Sequence, residues 1–322
     1  MGLYVVRRVL WTIPVLLVVL TVTFFMIRSI AGDPFRHGPL LGFGTPAWAK
    51  YNDPKPPSIR QNLERKYGLD LPWYEQYGNY LLGVATWEFG PSMTYRERTV
   101  NDILREQAPN SVLLGLLAFG LAVLVGVPLG VLAALREGSG LDAGIRALTL
   151  TGLAVPVFCL GTVLIGVFSL RLGWLPTSGW TDGWKPKVLP TVTLALFPLA
   201  ILLQLTRAGV LATVRSDFVL AARAKGLRRE TVLRRHVLRA ALVPVLTAAG
   251  PLLGVLVTGS FVVESIFAIP GIGRYYVSSV VAKDLPVVLG ITVVLTLAIV
   301  TANLLVDVAH AALDPRVRER AA

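Results

Sequence analysis

Nine basic residues, Arg207, Arg215, Arg223, Lys225, Arg228, Arg229, Arg234, Arg235 and Arg239, crowd one short stretch of a 322-residue chain. Cations at this density can bind anionic lipid headgroups. Glu264 closes an apolar run. An acid at membrane depth or its edge is a functional candidate, and a helix-terminal Glu facing headgroups is an equal alternative. His37, His236 and His310 are scattered, and Cys159 is the one cysteine. They offer no disulfide framework and no metal set, so Cys159 reads as a small packing residue. The strings G-x-x-x-x-G-K-[ST], H-E-x-x-H and G-x-S-x-G are all missing. The chain therefore carries no P-loop, and no catalytic residues are expected on it.

The elements that must position these groups are membrane helices. The chain is 54% hydrophobic and only 16% charged, with a mean hydropathy of +0.65. That is the balance of a multi-span membrane protein rather than a soluble enzyme. The net charge of +12 gathers at run ends and in the basic stretch, which argues against nucleic acid as a partner. Six charge-free runs, 9–27, 108–135, 147–170, 188–206, 240–263 and 285–306, each reach the ~18–20 residues that cross the hydrocarbon core as helix. The expected fold is all-α with six transmembrane helices. The chain divides into a tail with the first span (1–30), an extracytoplasmic loop region (31–107) and a five-helix core (108–322) that carries two short helices at 216–239.

Arg7, Arg8, Arg136, Arg146, the nine clustered cations, Arg316, Arg318 and Arg320 fall on one side if the spans alternate. Both termini are then cytoplasmic. The first run is longer than a signal-peptide core, which favours a retained anchor over a cleaved leader. In the outer region Pro54, Pro56 and Pro57 block regular structure, helices fit 58–67 and 73–82 around a turn at Gly68 and Pro72, and Asp33 reads as a turn residue. Trp174, Trp180 and Trp184 read as interface anchors. Gly115, Gly120, Gly126, Gly130, Gly161 and Gly166 suit close helix approach, and Pro128 and Pro156 can kink their helices. The fifth run is the least bulky, with Gly250, Gly254, Thr258 and Gly259. Its small face fits a solute path or tight packing.

Within the basic stretch, Ser216 and Asp217 suit a helix start. Phe218, Ala221, Ala222 and Lys225 recur at helical spacing. Gly226 fits the left-handed position after the helix end, with Leu227 folding back on the last turn. A second helix resumes near Glu230, with Val232, Leu233, His236 and Val237 on one side and arginines on the rest. From composition alone this is an amphipathic loop for anionic lipid.

The order of residues adds to that reading. Ala221-Ala222, three residues and then Gly226 resembles the cytoplasmic coupling motif of ABC importer permeases. The longer string A-R-A-K-G-L…RHVLR-x-AL-x-P resembles their oligopeptide and dipeptide branch, the OppB/DppB type. Leu220 stands at the motif's usual Glu and Ala240 at its common Asn. Gly32-Asp33-Pro34, the string from Tyr67 to Pro72, Tyr77, Gly90-x-Ser92, Pro156-x-Phe158, Glu264-x-x-Phe267…Pro270-Gly271-x-Gly273, the string from Asn303 to Asp307 and Asp314 to Arg318 extend the likeness. Thr86-Trp87-Glu88 departs from it. The resemblance implies a permease subunit in a bacterial or archaeal inner membrane. It implies a second homologous permease, two cytoplasmic ATPases holding ATP and magnesium, and an extracytoplasmic solute-binding protein, all amid membrane lipid. It assigns ATPase coupling to Asp217, Ala221, Ala222, Lys225, Gly226, Leu227, His236 and Arg239. Gate or pathway candidates are Glu264, Phe267, Pro270, Gly271, Gly273, Gly254 and Thr258. This chain binds no cofactor or metal in that reading. The alternatives are a secondary transporter or channel working alone, and a scaffold with a lipid-binding loop.

Overall fold

A computed structural model describes residues 2–29, 61–62, 65–95, 97–257 and 260–313. Asp33, the Pro-rich segment, Thr258, Gly259 and 314–318 lie outside the described residues, as do parts of 58–67. Among the described residues the helices are α1 (Gly2–Ser29), α2 (Trp73–Thr86), α3 (Val100–Leu135), α4 (Gly140–Ala154), α5 (Val157–Leu164, continued as π-helix over Ile165–Arg171) and α6 (Lys185–Val214). They continue with α7 (Asp217–Ala224), α8 (Arg229–Thr231, π-helical over Val232–Val237, then Leu238–Ala241), α9 (Val243–Val257), α10 (Phe261–Ile266), α11 (Ile272–Ala282) and α12 (Leu285–Leu313). A bridge between Pro91 and Thr99 is the strand-like pairing among these residues.

Five segments are long and apolar enough to cross a membrane, and α4 with α5 make a sixth if counted as one span. That third span is not the continuous helix expected over 147–170. It breaks by 109° between Ala154 and Val157. Pro156 has no N–H to give and pushes Val155 out of the helical region, to φ −80° and ψ 121°, because its ring crowds the preceding residue. The start of α3 is written locally: Asp102 accepts from the N–H and hydroxyl of Thr99, whose hydroxyl accepts in turn from the Asp102 N–H, a reciprocal cap.

The chain forms two compact units, each made of separate stretches of sequence. One comprises Met1–Leu10, Ser111–Pro270 and Ala298–Ala322, the other Trp11–Asn110 and Gly271–Leu297. The first is built on α6, which is buried at intervals from Leu189 to Val210. Backbones come close where glycines allow it. A Cβ on Gly126 would lie 2.8 Å from the Leu199 carbonyl, and one on Gly130 2.6 Å from that of Leu203. Gly115 meets the Leu256 carbonyl in the same way, whereas Gly120 and Gly166 face open space. Leu114, Leu189, Val263, Phe267 and Ile269 form one core of this unit, and Ile145, Leu202, Leu203 and Val245 a second.

The second unit packs Val100, Ile103, Ile272, Val287 and Ile291 together. Its polar centre is Asp284, which is fully buried. The carboxylate accepts from the Ser92 hydroxyl and from the Thr94 N–H at 2.9 Å, and its Oδ1 caps α12 through the Val287 N–H at 3.4 Å. The Tyr67 hydroxyl donates to the Ser92 carbonyl at 2.9 Å. Burial, and secondarily the Asp284 charge, push that hydroxyl above the usual tyrosine value, so it stays protonated and donating at physiological pH.

Candidate coupling surface

The basic stretch folds as a two-helix elbow. Ser216 starts α7 in an extended conformation, but its hydroxyl does not cap the helix. It donates instead to the Thr213 carbonyl at 2.6 Å, tying the elbow back to the end of α6. Asp217 supplies the acid of the first turn. The helix ends as the sequence requires: Gly226 sits at φ +76°, where a Cβ is strained, and its N–H reaches the Arg223 carbonyl at 2.9 Å. Leu227 does not cover the last turn; it is exposed.

The inner face of the elbow is apolar. Val219, Ala222, Val232, Val237 and Ala241 are buried with Ala134 of α3 and Val210 of α6. Gly209 lets the Ala241 carbonyl come against α6. On α8 the periodic reading holds, with Leu233 and His236 half-buried and Arg234, Arg235 and Arg239 exposed. On α7 the buried residues are Val219 and Ala222, whereas Phe218, Ala221 and Lys225 face out. Phe218, Leu220 and Leu227, at 50%, 66% and 41% exposure, give the outer face apolar contacts among its cations. Glu230 pairs with Arg234 at 2.8 Å, but both are solvated, so the pair adds little.

Two supporting pairs join residues far apart in the sequence. Asp142, 1% exposed, accepts from Arg207 Nε at 2.8 Å and Nη2 at 2.9 Å. It also accepts from the Gly138 N–H at 3.1 Å, and its own N–H donates to the Ser139 hydroxyl. Arg215 donates to both Glu137 oxygens, at 3.0 and 2.8 Å. The sequence signal was faint: two acids in the charged link after the second run, opposite cations at the end of the fourth.

The other candidates are dispersed. Glu264 is fully buried and accepts from the Ser111 hydroxyl at 2.7 Å. Phe267 is buried, and its carbonyl accepts from the Gly179 N–H at 2.8 Å. Pro270 is exposed. Gly271 and Gly273, at the start of α11, are buried in the second unit. Gly254 faces α12, where a Cβ would stand 3.1 Å from the Ile299 Cα. That close approach accounts for its small size by packing alone.

The description "Binding-protein-dependent transport system inner membrane component" matches residues 126–319. The oligopeptide transport system permease protein OppB of Salmonella typhimurium is 37% identical, covering 98% of this chain and 99% of its own. The dipeptide transport system permease protein DppB of Bacillus subtilis is 39% identical, covering 99% and 98%. An inward-facing structure of the MetNI methionine ABC transporter shares the fold, with a TM-score of 0.53 at 17% identity over 66% of this chain and 96% of that one. Helices long and apolar enough to span a membrane, an elbow seated by its own apolar face on α3 and α6 and full-length kinship agree: the chain belongs to the inner membrane components of binding-protein-dependent transport systems, the permease subunits of ABC importers.

Proposed function

We propose that this permease subunit passes peptides into the cell, and that the outer face of α7 and α8 is the handle through which a cytoplasmic ATPase drives it. Likeness to oligopeptide and dipeptide permeases along almost the whole chain supports the substrate class. One observation carries the handle: the elbow is anchored by its buried inner face and holds out cations interleaved with Phe218, Leu220 and Leu227. Such a face suits a groove with acidic and apolar patches on a protein better than headgroups alone. Asp217, Ala221, Lys225, Gly226, Leu227, His236 and Arg239 meet the ATPase, and Ala222 seats the helix. The assembly holds a second homologous permease, two ATPases that bind ATP and magnesium, and a solute-binding protein on the outer side. Both termini lie in the cytoplasm with the clustered cations. Within the first unit, Glu264 and Phe267, both buried, are the residues proposed to act at the gate.

The test uses the whole assembly in proteoliposomes with ATP on the ATPase side and a mixture of labelled tripeptides offered to the binding protein. Gly226→Val forces a β-branched residue to positive φ, a local strain of about 1–2 kcal/mol or more. Expected are peptide uptake in the wild type, and in the variant loss of uptake with at least ~10-fold weaker retention of the ATPases. The melting temperature of the permease should fall by only a few degrees, because the strain is confined to one exposed corner. Undiminished uptake in the variant overturns the handle, and a wild type that hydrolyses ATP without taking up peptide overturns the substrate class.

A further inference from the structure

The elbow is joined to more than the helix that precedes it. Arg207 lies on α6 about three turns before Asp217, and its guanidinium grips Asp142 with two parallel bonds. Asp142 stands in the first turn of α4 and also holds the Gly138 N–H. The link between α3 and α4 is therefore pinned to the helix that leads into the elbow. Arg146 stands 3.6 Å from the same carboxylate on its solvent side, so the acid faces two cations. A planar fork on a carboxylate fixes orientation as well as distance. The second contact between the same two segments, Glu137 with Arg215, is 45% and 69% exposed and is screened by solvent. Ala134, at the end of α3, lies in the same apolar cluster as Val219 and Ala222 of α7.

We infer that Asp142 and Arg207 are a positioning pair that makes the α3–α4 link and the elbow one rigid piece, so that a push on the elbow is delivered to α3 and α4 as well as to α6. The inference rests on the handle reading above. Rigid-body transfer needs a joint that does not slip during the stroke, and a two-pronged ion pair on a buried carboxylate, with its guanidinium 21% exposed, is such a joint, whereas the exposed outer pair is not.

The test measures ATP hydrolysis and labelled-tripeptide uptake on the same proteoliposomes. D142N and R207Q are expected to lower uptake per ATP hydrolysed at least ~10-fold while hydrolysis stays within about twofold. R207K, which keeps the charge but not the fork, falls between them and the wild type. E137Q leaves the ratio unchanged. An unchanged ratio in D142N, R207Q and R207K overturns the inference. So does a parallel fall in both rates with poor recovery of assembled complex in all three, which marks a folding contact only. If the wild type hydrolyses ATP but takes up no tripeptide, the substrate class is what fails. The joint is then read from spin labels at positions 136 and 235, comparing resting and vanadate-trapped assemblies. A distance shared by both states in the wild type, and a different distance in each state of D142N, support the joint; a distance that changes between states in the wild type overturns it.

Discussion

At the scale of single residues, burial decides what a polar group does. Glu264 reads from the sequence as a membrane acid with two equal roles. In the fold it has no exposed surface and takes a hydrogen bond from Ser111. Removing such an acceptor from a closed site costs about 1–3 kcal/mol. Glu264→Ala is therefore expected to lower the thermal stability of the detergent-purified permease clearly, and Glu264→Gln, which keeps the acceptor oxygen, by much less. Equal losses in the two variants would show that the carboxylate charge, not the acceptor oxygen that Gln retains, matters there. Gly254 teaches the same lesson from the other side. Its small size was compatible with a solute path, and its proximity to Ile299 is sufficient reason for it.

At the scale of elements, α7 and α8 differ in how well their pattern could be read. On α8 the apolar positions 232, 233, 236 and 237 share a face by spacing alone, and that face is the one turned inward. On α7 the spacing singles out Phe218, Ala221, Ala222 and Lys225, of which Ala222 is buried and the others face out, because apolar residues occur all round this helix. Packing chose Val219, which is wholly buried beside Val210. Val219→Asp places a charge in an apolar cluster and is expected to detach the elbow, seen as protease cleavage near 216–228 and a lowered melting temperature. Phe218→Asp, on the open face, is expected to leave both unchanged and to weaken ATPase retention at least several-fold. If Phe218→Asp melts the protein and Val219→Asp does not, the assigned faces are reversed. The bend at Pro156 is a further case: proline signalled a kink, but its size, 109°, depends on the helices each half packs against.

At the scale of the molecule, the two compact units are made of interleaved pieces of chain, and each has its own buried polar anchor. Asp142 serves the first. Asp284 serves the second, where it joins the 92–95 turn to the start of α12. Asp284→Ala removes a charge-assisted acceptor worth on the order of 2 kcal/mol. The expected result is hydrogen exchange faster by at least ~10-fold over 88–99 and the first turn of α12, with the amides of α6 unaffected. Equal acceleration in α6 would show that the two units open together.

Much was decided by the chain order itself. Runs free of charge dictate spanning helices because lipid leaves a backbone no other way to satisfy its polar groups. A glycine after a short helix dictates the corner of the elbow because other residues are strained at positive φ. Only tertiary structure decided the rest. Arg207 and Asp142 are 65 residues apart in sequence, Glu264 and Ser111 153, and Asp284 and Ser92 192. Local preference acts over a few turns of backbone, whereas these polar groups acquire partners only when packing brings distant helices together and excludes the water that would otherwise satisfy them.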